Sequence, residues 1–479
     1  MKHFFALPLS YLLLASSALA QTPASFAPVV LYSVGAGNQP HSVAVADVDY
    51  DGKLDVMASN VVGYSASVLL GTGSGTFGAV ANYNSGAMGS SYGIAVADVD
   101  NDDRLDLLLA NVAQHTVSVL LGTGTGTFAG GVTYSTGASS APYRLSVADV
   151  NGDGHRDLLT ANSNTHNVGI LLGNGNGTFQ AVTLISTGAG SRPYGVAVAD
   201  VNADGQPDVL TVNSGTHTAG VLLGNGNGTF QPMTTYSTGA GSQPSDIALA
   251  DVNGDGKLDV LTANFNSNTA GVLLGNGNGT FQAATTYGAG GGPLSLAVAD
   301  VNGDGKPDLL MGNRSLNTVG VLLGLGNGAF KTAVTFSTGA GSNPLGIAAA
   351  DVNRDGRPDL VVGNNQNGAV GILLNTGTYL PTRAALPGTA ATLAPNPATT
   401  STTLTATGLP TGATHLTAVL LNPLGQVVRR LAVPAALGVA TASVPTTGLA
   451  AGLYVLRLDA VDAQGAPLGA LPTQRLSVE

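Results

Sequence analysis

Cysteine and tryptophan are absent from this chain of 479 residues, and only 9% of it is charged. Without cysteine, an exported protein must be held together by something other than disulfides, and bound metal is one candidate. Basic residues are also scarce. The 17 Lys and Arg are scattered and the net charge is −11, which argues against nucleic acid as a partner, since phosphate binding needs clustered basic residues. Glutamate occurs once, at Glu479. No G-x-S-x-G, H-E-x-x-H or phosphate-binding loop is found. What the chain does have is 68 Gly among Ala, Val, Leu, Thr and Asn, the composition of many short strands joined by tight turns.

The scarce acid is concentrated. Nine-residue runs of the form D-x-[DN]-x-D-x-x-x-D begin at Asp47, Asp98, Asp149, Asp200, Asp251, Asp300 and Asp351. Only Asp246, Asp459, Asp462 and Glu479 lie outside them. The starts are 51 residues apart, with one interval of 49, and a fixed period near 50 marks radially arranged or stacked units. One unit, residues 182–230, holds four strand-like runs, VTLIS, YGVAVAD, DVLTVN and AGVLLG, linked by short turn-rich connections. No window free of Gly offers helical spacing of apolar residues. The expected fold class is all-β: a seven-bladed β-propeller over 21–380, then a small C-terminal β-sandwich. A straight solenoid would need atypical capping repeats, and none is seen. Instead APVVLYS (27–33) matches the first run of a unit, while GILLNTG (371–377) ends without a partner for it. The entering strand is therefore expected to complete blade seven.

In DVNGDGKLD (251–259), side-chain oxygens at positions 1, 3, 5 and 9 and the carbonyl of position 7 are able to converge, with Gly256 making the sharp turn. An anionic, oxygen-only, flexible cage suits calcium; magnesium prefers fewer protein ligands, and the lack of His or Cys at ligand positions argues against zinc and copper. The candidate ligands, repeat by repeat, start with Asp47, Asp49, Asp51 and Asp55, then Asp98, Asp100, Asp102 and Asp106. The third and fourth loops offer Asp149, Asn151, Asp153, Asp157 and Asp200, Asn202, Asp204, Asp208. Asp251, Asn253, Asp255, Asp259 and Asp300, Asn302, Asp304, Asp308 follow, and Asp351, Asn353, Asp355, Asp359 end the series. Asp, Asn and Gly also make good turns, but a turn does not need several carboxylates whose repulsion is costly without a cation. Up to seven structural Ca2+ are expected. Loop two has Asp103 where the others have Gly, a residue that tolerates the left-handed conformation at some strain.

With an acidic loop after a strand ending VAVAD and GNGNGTF later in the unit, residues 24–380 resemble the FG-GAP/VCBS repeats of integrin-α-type seven-bladed propellers. The resemblance implies calcium bound between the two inner strands, on the lower face of the ring. GNGNGT also matches the N-x-T glycosylation pattern, but at a recurrent hairpin turn chemistry explains it better.

Strand alternation places two variable positions on the opposite face. The first is His41, Tyr92, Tyr143, Tyr194, Ser245, Leu294 and Leu345; the second is Tyr64, His115, His166, His217, Asn268, Asn317 and Gly368. Rings to stack and amides to hydrogen-bond suit a binding face for a glycan or protein, although drifting turn residues would look the same. Equivalent positions of adjacent blades lie far apart near the rim, so a histidine metal site is not expected. Glycoside hydrolysis needs two carboxylates, and outside the loops the propeller has only Asp246. The expected function is thus a non-catalytic, monomeric binding or adhesion module. The alternatives are a polysaccharide lyase using Tyr, His or Arg, since some lyases are calcium-binding propellers, and a passive structural surface protein.

The ends of the chain suggest an address. Residues 1–20 combine Lys2, a short apolar core and Ala18-Leu19-Ala20, the pattern of a cleaved secretory signal too short to span a membrane; no Cys follows, which excludes a lipoprotein. Residues 381–392 read as a linker. Residues 393–479 resemble the C-terminal sorting domain of type IX secretion through Pro395-Asn396-Pro397, Leu424-Gly425-Gln426-Val427, the L-x-x-G-x-Y of Leu449, Gly452 and Tyr454, and Arg475 to Val478. Asn422 stands where that domain often has Asp. This implies passage through the periplasm and the type IX machinery to the cell surface or medium.

Overall fold

The structure is a computed structural model that describes residues 23–377 and, within 389–478, all but 395, 397, 399, 411–412, 422–426, 448, 450–451, 462–466 and 472–473. The signal-like segment and most of the linker lie outside the described residues. Seven four-stranded antiparallel sheets form the blades. In the first, β2 (Pro40–Ala46), β3 (Asp55–Asn60), β4 (Ser65–Leu69) and β5 (Ala81–Asn84) pair in sequence order.

Each strand's composition suits its depth in the blade. The innermost strands carry small residues such as Ala44, Val45 and Ala46 and pack on the innermost strands of both neighbouring blades. The second strands are buried at every position, whereas the outer strands are four residues long and mostly exposed, as a protected edge requires. The sequence unit at 182–230 straddles two blades. Its first run, β13 (Thr183–Ser186), is the outer strand of blade three, and blade four starts at β14 (Pro193–Ala199).

That offset leaves blade seven one strand short, and β1 (Val30–Ser33) fills the place. It pairs antiparallel with β28 (Ala369–Leu373), Val30 opposite Ile372 and Ser33 opposite Ala369. The N-terminal strand closes the ring, as expected. Blade contacts then recur across the closure. Tyr32 of β1 meets Phe77 of blade one edge-on at 5.2 Å, as Tyr83 meets Phe128 (5.3 Å) and Tyr134 meets Phe179 (5.3 Å) between other blades. Glycine amides of the GNGNGTF-type turns also donate to the position-2 carbonyl of the acidic loop in the preceding blade: Gly75 to Val352, Gly126 to Val48, Gly177 to Val99 and three more. Blade seven lacks that turn, and the Asn375 side chain donates to Val301 O at 2.8 Å instead.

The C-terminal strands β29 (Ala390–Ala394) to β36 (Gln474–Val478) form a separate sheet system around Leu404, Leu416, Leu420, Leu456, Leu458 and Leu476. The long β32 (Val427–Ala436) pairs with β31 (His415–Leu421) along most of its length and with β33 (Val439–Pro445) at its C-terminal end, within one eight-stranded sheet. Asn396 Oδ1 accepts from Ser477 N at 2.8 Å and Tyr454 is buried. Pro395, Pro397 and 424–426 lie outside the described residues.

Candidate functional site

Each acidic loop joins the innermost strand of a blade to the second. Position 1 accepts the amide of position 6 in every loop, from Gly52 to Asp47 (2.8 Å) through Gly356 to Asp351 (2.7 Å). Position 6 is left-handed throughout, and Asp103 takes it too at φ 63°, so loop two keeps the shape of the others. The carboxylates of Asp47, Asp49 and Asp55, and likewise of Asp98, Asp100 and Asp106, bring ligand atoms within 4.8 Å of one another. No donor reaches Asp47 Oδ1 or Asp100 Oδ1, although both are buried, and burial pushes both carboxyls up. A divalent cation suits these orphaned oxygens. Position 5 lies outside both clusters: Asp51 pairs with Lys53 (2.5 Å) and Asp102 with Arg104 (3.4 Å).

Position 9 does more than face the loop. Its carboxylate is fully buried in all seven repeats and accepts two backbone amides, as Asp55 does from Val48 N (2.8 Å) and Gly71 N (2.7 Å). It thereby ties the acidic loop to the turn after the third strand. Burial pushes Asp55, Asp106 and Asp259 up to about 6, Asp359 to about 7 and Asp308 to about 8. Those amide bonds act in the opposite direction and are outweighed.

At the other end of the innermost strands a cavity of about 510 Å³ opens on the ring axis. His41, Tyr92, Tyr143, Tyr194, Ser245, Leu294 and Leu345 all line it. A break in strand register falls at these residues in every blade, between Pro40 and Ser42 in the first, and such a bulge re-aims a side chain. The aromatic members form an arc over blades one to four. His41 stacks on Tyr92 (4.2 Å, 15°), Tyr92 meets Tyr143 edge-on (5.1 Å), and Tyr143 lies tilted against Tyr194 (4.4 Å). Burial first, then Arg144 and Arg314, lower His41 to about 3, so its imidazole is neutral. Below the arc, Arg144 pairs with Asp246 at 3.2 Å and donates to Ser42 Oγ at 3.1 Å, linking blades three, five and one.

Six stretches, 60–109, 104–160, 149–211, 200–262, 251–311 and 300–362, match the FG-GAP-like repeat. The chain belongs to the FG-GAP-like repeat family. No curated protein matches it. Among solved structures, the periplasmic gluconolactonase of Pseudomonas aeruginosa is 15% identical with a TM-score of 0.50, over 66% of this chain and 97% of that one. A chain of the Chaetomium thermophilum Polycomb Repressive Complex 2 bound to GSK126 is 10% identical at 0.50, over 74% and 99%. The extracellular domain of a hybrid two component system of B. thetaiotaomicron is 10% identical at 0.47, over 95% and 60%. At such identities the likeness is one of fold alone.

The FG-GAP-like repeats use the second variable position differently from the first. Tyr64, His115, His166, His217, Asn268, Asn317 and Gly368 all adopt positive φ, and none lines the cavity. The ring Nδ1 of His115, His166 and His217 accepts the amides of Ala141, Arg192 and Gln243 at 3.1–3.2 Å, and Asn317 Oδ1 does the same for Asn343 (2.8 Å). These side chains fasten the loop between strands two and three to the loop that enters the next blade. The N-x-T turns are also self-contained, since Asn176 Oδ1 accepts both the amide and the hydroxyl of Thr178. Sequence reasoning missed Arg192, Gln243 and Asn343, each just before a recurrent Pro, and Phe265, Arg314 and Asn365, each just after a recurrent Asn. The signal was there: flanking two constant residues, these positions change in size and charge from repeat to repeat.

Proposed function

We propose that this FG-GAP-like propeller is an extracellular, calcium-stabilised, non-catalytic module that binds a glycan or protein at the mouth of its central channel. The observation that carries the reading is the convergence of all seven bulge residues on one cavity that no carboxylate lines among the described residues, Asp246 being ion-paired to the lining Arg144. A mouth with aromatic, amide and guanidinium groups recognises ligands, and it lacks the acid–base pair of a glycosidase. A lyase would draw on Tyr or His instead, but burial pushes the Tyr92 and Tyr143 hydroxyls up, which disfavours a phenolate base.

Calcium supplies positive charge to loop carboxylates that otherwise repel one another. Asp47, Asp49 and Asp55, with the matching groups of the other repeats, are the residues that would hold it. Export rests on the signal-like residues 1–20 and on the sorting-domain motifs of 393–479; among the described residues no helix is long and apolar enough to cross a membrane. The test is a glycan and matrix-protein array probed with the calcium-loaded mature chain, beside an absorbance assay for unsaturated sugar products. A ligand whose binding falls in Tyr194→Leu supports the module. A blank array would leave a passive surface protein, and product formation would make it a lyase.

A further inference from the structure

Among the described residues, the charged side chains that line the cavity are all basic. The cavity is lined by Arg144, Arg192 and Arg314 in a molecule whose net charge is −11. Arg144 is committed to Asp246 and Ser42. The other two are not. Arg314 spends only its Nε, on Asn343 Oδ1 at 3.0 Å, and the Arg192 guanidinium has no hydrogen bond or ion pair among the described residues. Both are exposed, and exchanges at exposed side chains usually change stability little.

We infer that the cavity is a subsite for a carboxylate-bearing sugar, a hexuronate within or at the end of an acidic polysaccharide. This rests on the binding reading above and narrows it. Planar guanidinium forks match a carboxylate in a bidentate way, which an ammonium does not. The half-buried rings of Tyr92, Tyr143 and Tyr194 offer an apolar wall for the C–H face of a pyranose, larger than a single acidic amino-acid side chain fills. The amides of Gln243, Asn343 and Asn365, which line the same cavity, suit ring hydroxyls. The cavity volume of about 510 Å³ lies within the usual ~300–1,000 Å³ of small-ligand sites, so a short oligosaccharide is the natural occupant. The acidic loops do not oppose this. They lie at the far end of a seven-residue strand, roughly 20 Å away at about 3.3 Å per residue, beyond two Debye lengths at physiological salt.

Calorimetric titration of the calcium-loaded mature chain tests the inference. The probes are trigalacturonate and a hyaluronan tetrasaccharide, the carboxyl-reduced form of each, and the peptide Gly-Asp-Gly. At least one acidic sugar should bind, more weakly at higher salt, and its reduced form at least ~10-fold more weakly, the loss expected when a charge-assisted pair is removed. Arg192→Gln with Arg314→Gln should bring the same ~10-fold loss for the acid, leave the reduced form unaffected and leave the melting temperature unchanged. Tyr194→Leu should weaken both forms. Equal binding of acid and reduced sugar, insensitive to the arginine pair, would overturn the carboxylate and leave the glycan module standing. Peptide binding as tight as sugar binding would overturn the sugar. If neither acidic sugar binds while the array finds another ligand, the inference alone fails; if the array is blank as well, the binding reading fails with it.

Discussion

Asp308 is the residue where burial and charge conflict most. It accepts two amides, from Val301 (2.9 Å) and Gly324 (2.8 Å), yet burial still pushes it up to about 8. With Asp359 near 7 and Asp55, Asp106 and Asp259 near 6, the folded chain holds more protons than the unfolded one from roughly pH 4, where free Asp titrates, to 8. Folded-state values raised in this way mean stability that is present at low pH and lost as pH rises through them. Metal-stripped protein should therefore melt at a lower temperature at pH 8 than at pH 5, and calcium should narrow the gap by stabilising the charged form. A flat or rising profile without metal would contradict this. Packing makes a second residue-scale case. A Cβ on Gly271 would lie 2.4 Å from Thr262 Oγ1 and 2.9 Å from the buried Asn264 Nδ2. Gly271→Ala should cost about 1–3 kcal/mol by denaturant unfolding, the usual range for overpacking. Blade one has Ala58 and Ser67 at these two places, with Asn60 Nδ2 donating to Ser67 Oγ at 2.8 Å. Thr262→Ala with Gly271→Ser should thus recover most of the loss.

Among the elements, β1 has the most consequential position. It is the outer strand of blade seven by pairing with β28, and Tyr32 joins that blade to Phe77 of the first. Removing 27–33 leaves three strands there and an unpaired edge, and the seam to blade one keeps only the packing of its inner strands and turn bonds such as Gly75 N to Val352 O. The shortened chain should elute as aggregates in size-exclusion chromatography or unfold without a cooperative transition. If it remains monomeric and equally stable, the closure contributes little. This strand was legible in the sequence because the repeat is offset from the blade: a unit that begins with an outer strand leaves one spare at the start and one vacancy at the end. The acidic loops were legible as well, but not the full work of position 9. Pairing of a carboxylate with the amides of Val48 and Gly71 depends on where the third-strand turn lies, and that turn follows 16 residues later.

For the whole molecule, seven divalent ions would more than offset the net charge of −11, and binding to the folded state alone raises stability by linkage. Chelation should lower the melting temperature markedly, and calcium should restore it better than magnesium, whose tighter geometry fits a flexible multi-carboxylate loop poorly. An unchanged melting curve after chelation would remove calcium from the account. The C-terminal sheet has a core of its own, and among the described residues no strand of it pairs with a blade. Ending the chain near residue 385 should therefore leave the propeller's melting behaviour unchanged, because separate cores fold separately. In a host with type IX secretion the same truncation should hold the protein in the periplasm. Equal surface or medium levels of both forms in cell fractionation would make the C-terminal sheet an adhesion or spacer domain.

The number of blades, the strands of each and the acidic loops were determined by the sequence itself. Each depends on contacts within about one repeat, where turn glycines, strand periodicity and spacing act directly on neighbouring backbone. Tertiary structure decided the rest. That His41 stacks on Tyr92, that Asp246 answers an arginine two blades away, and that Arg192 and Arg314 share one cavity follow only once the ring closes. Two positions that vary in the same register looked equally suited to binding. A strand bulge turns one set into the channel mouth, while left-handed backbone and an amide to cap turn the other into fastenings between blades. The difference is physical. Local hydrogen bonding is specified by adjacent residues, but convergence on an axis is specified by the curvature that seven packed sheets impose together.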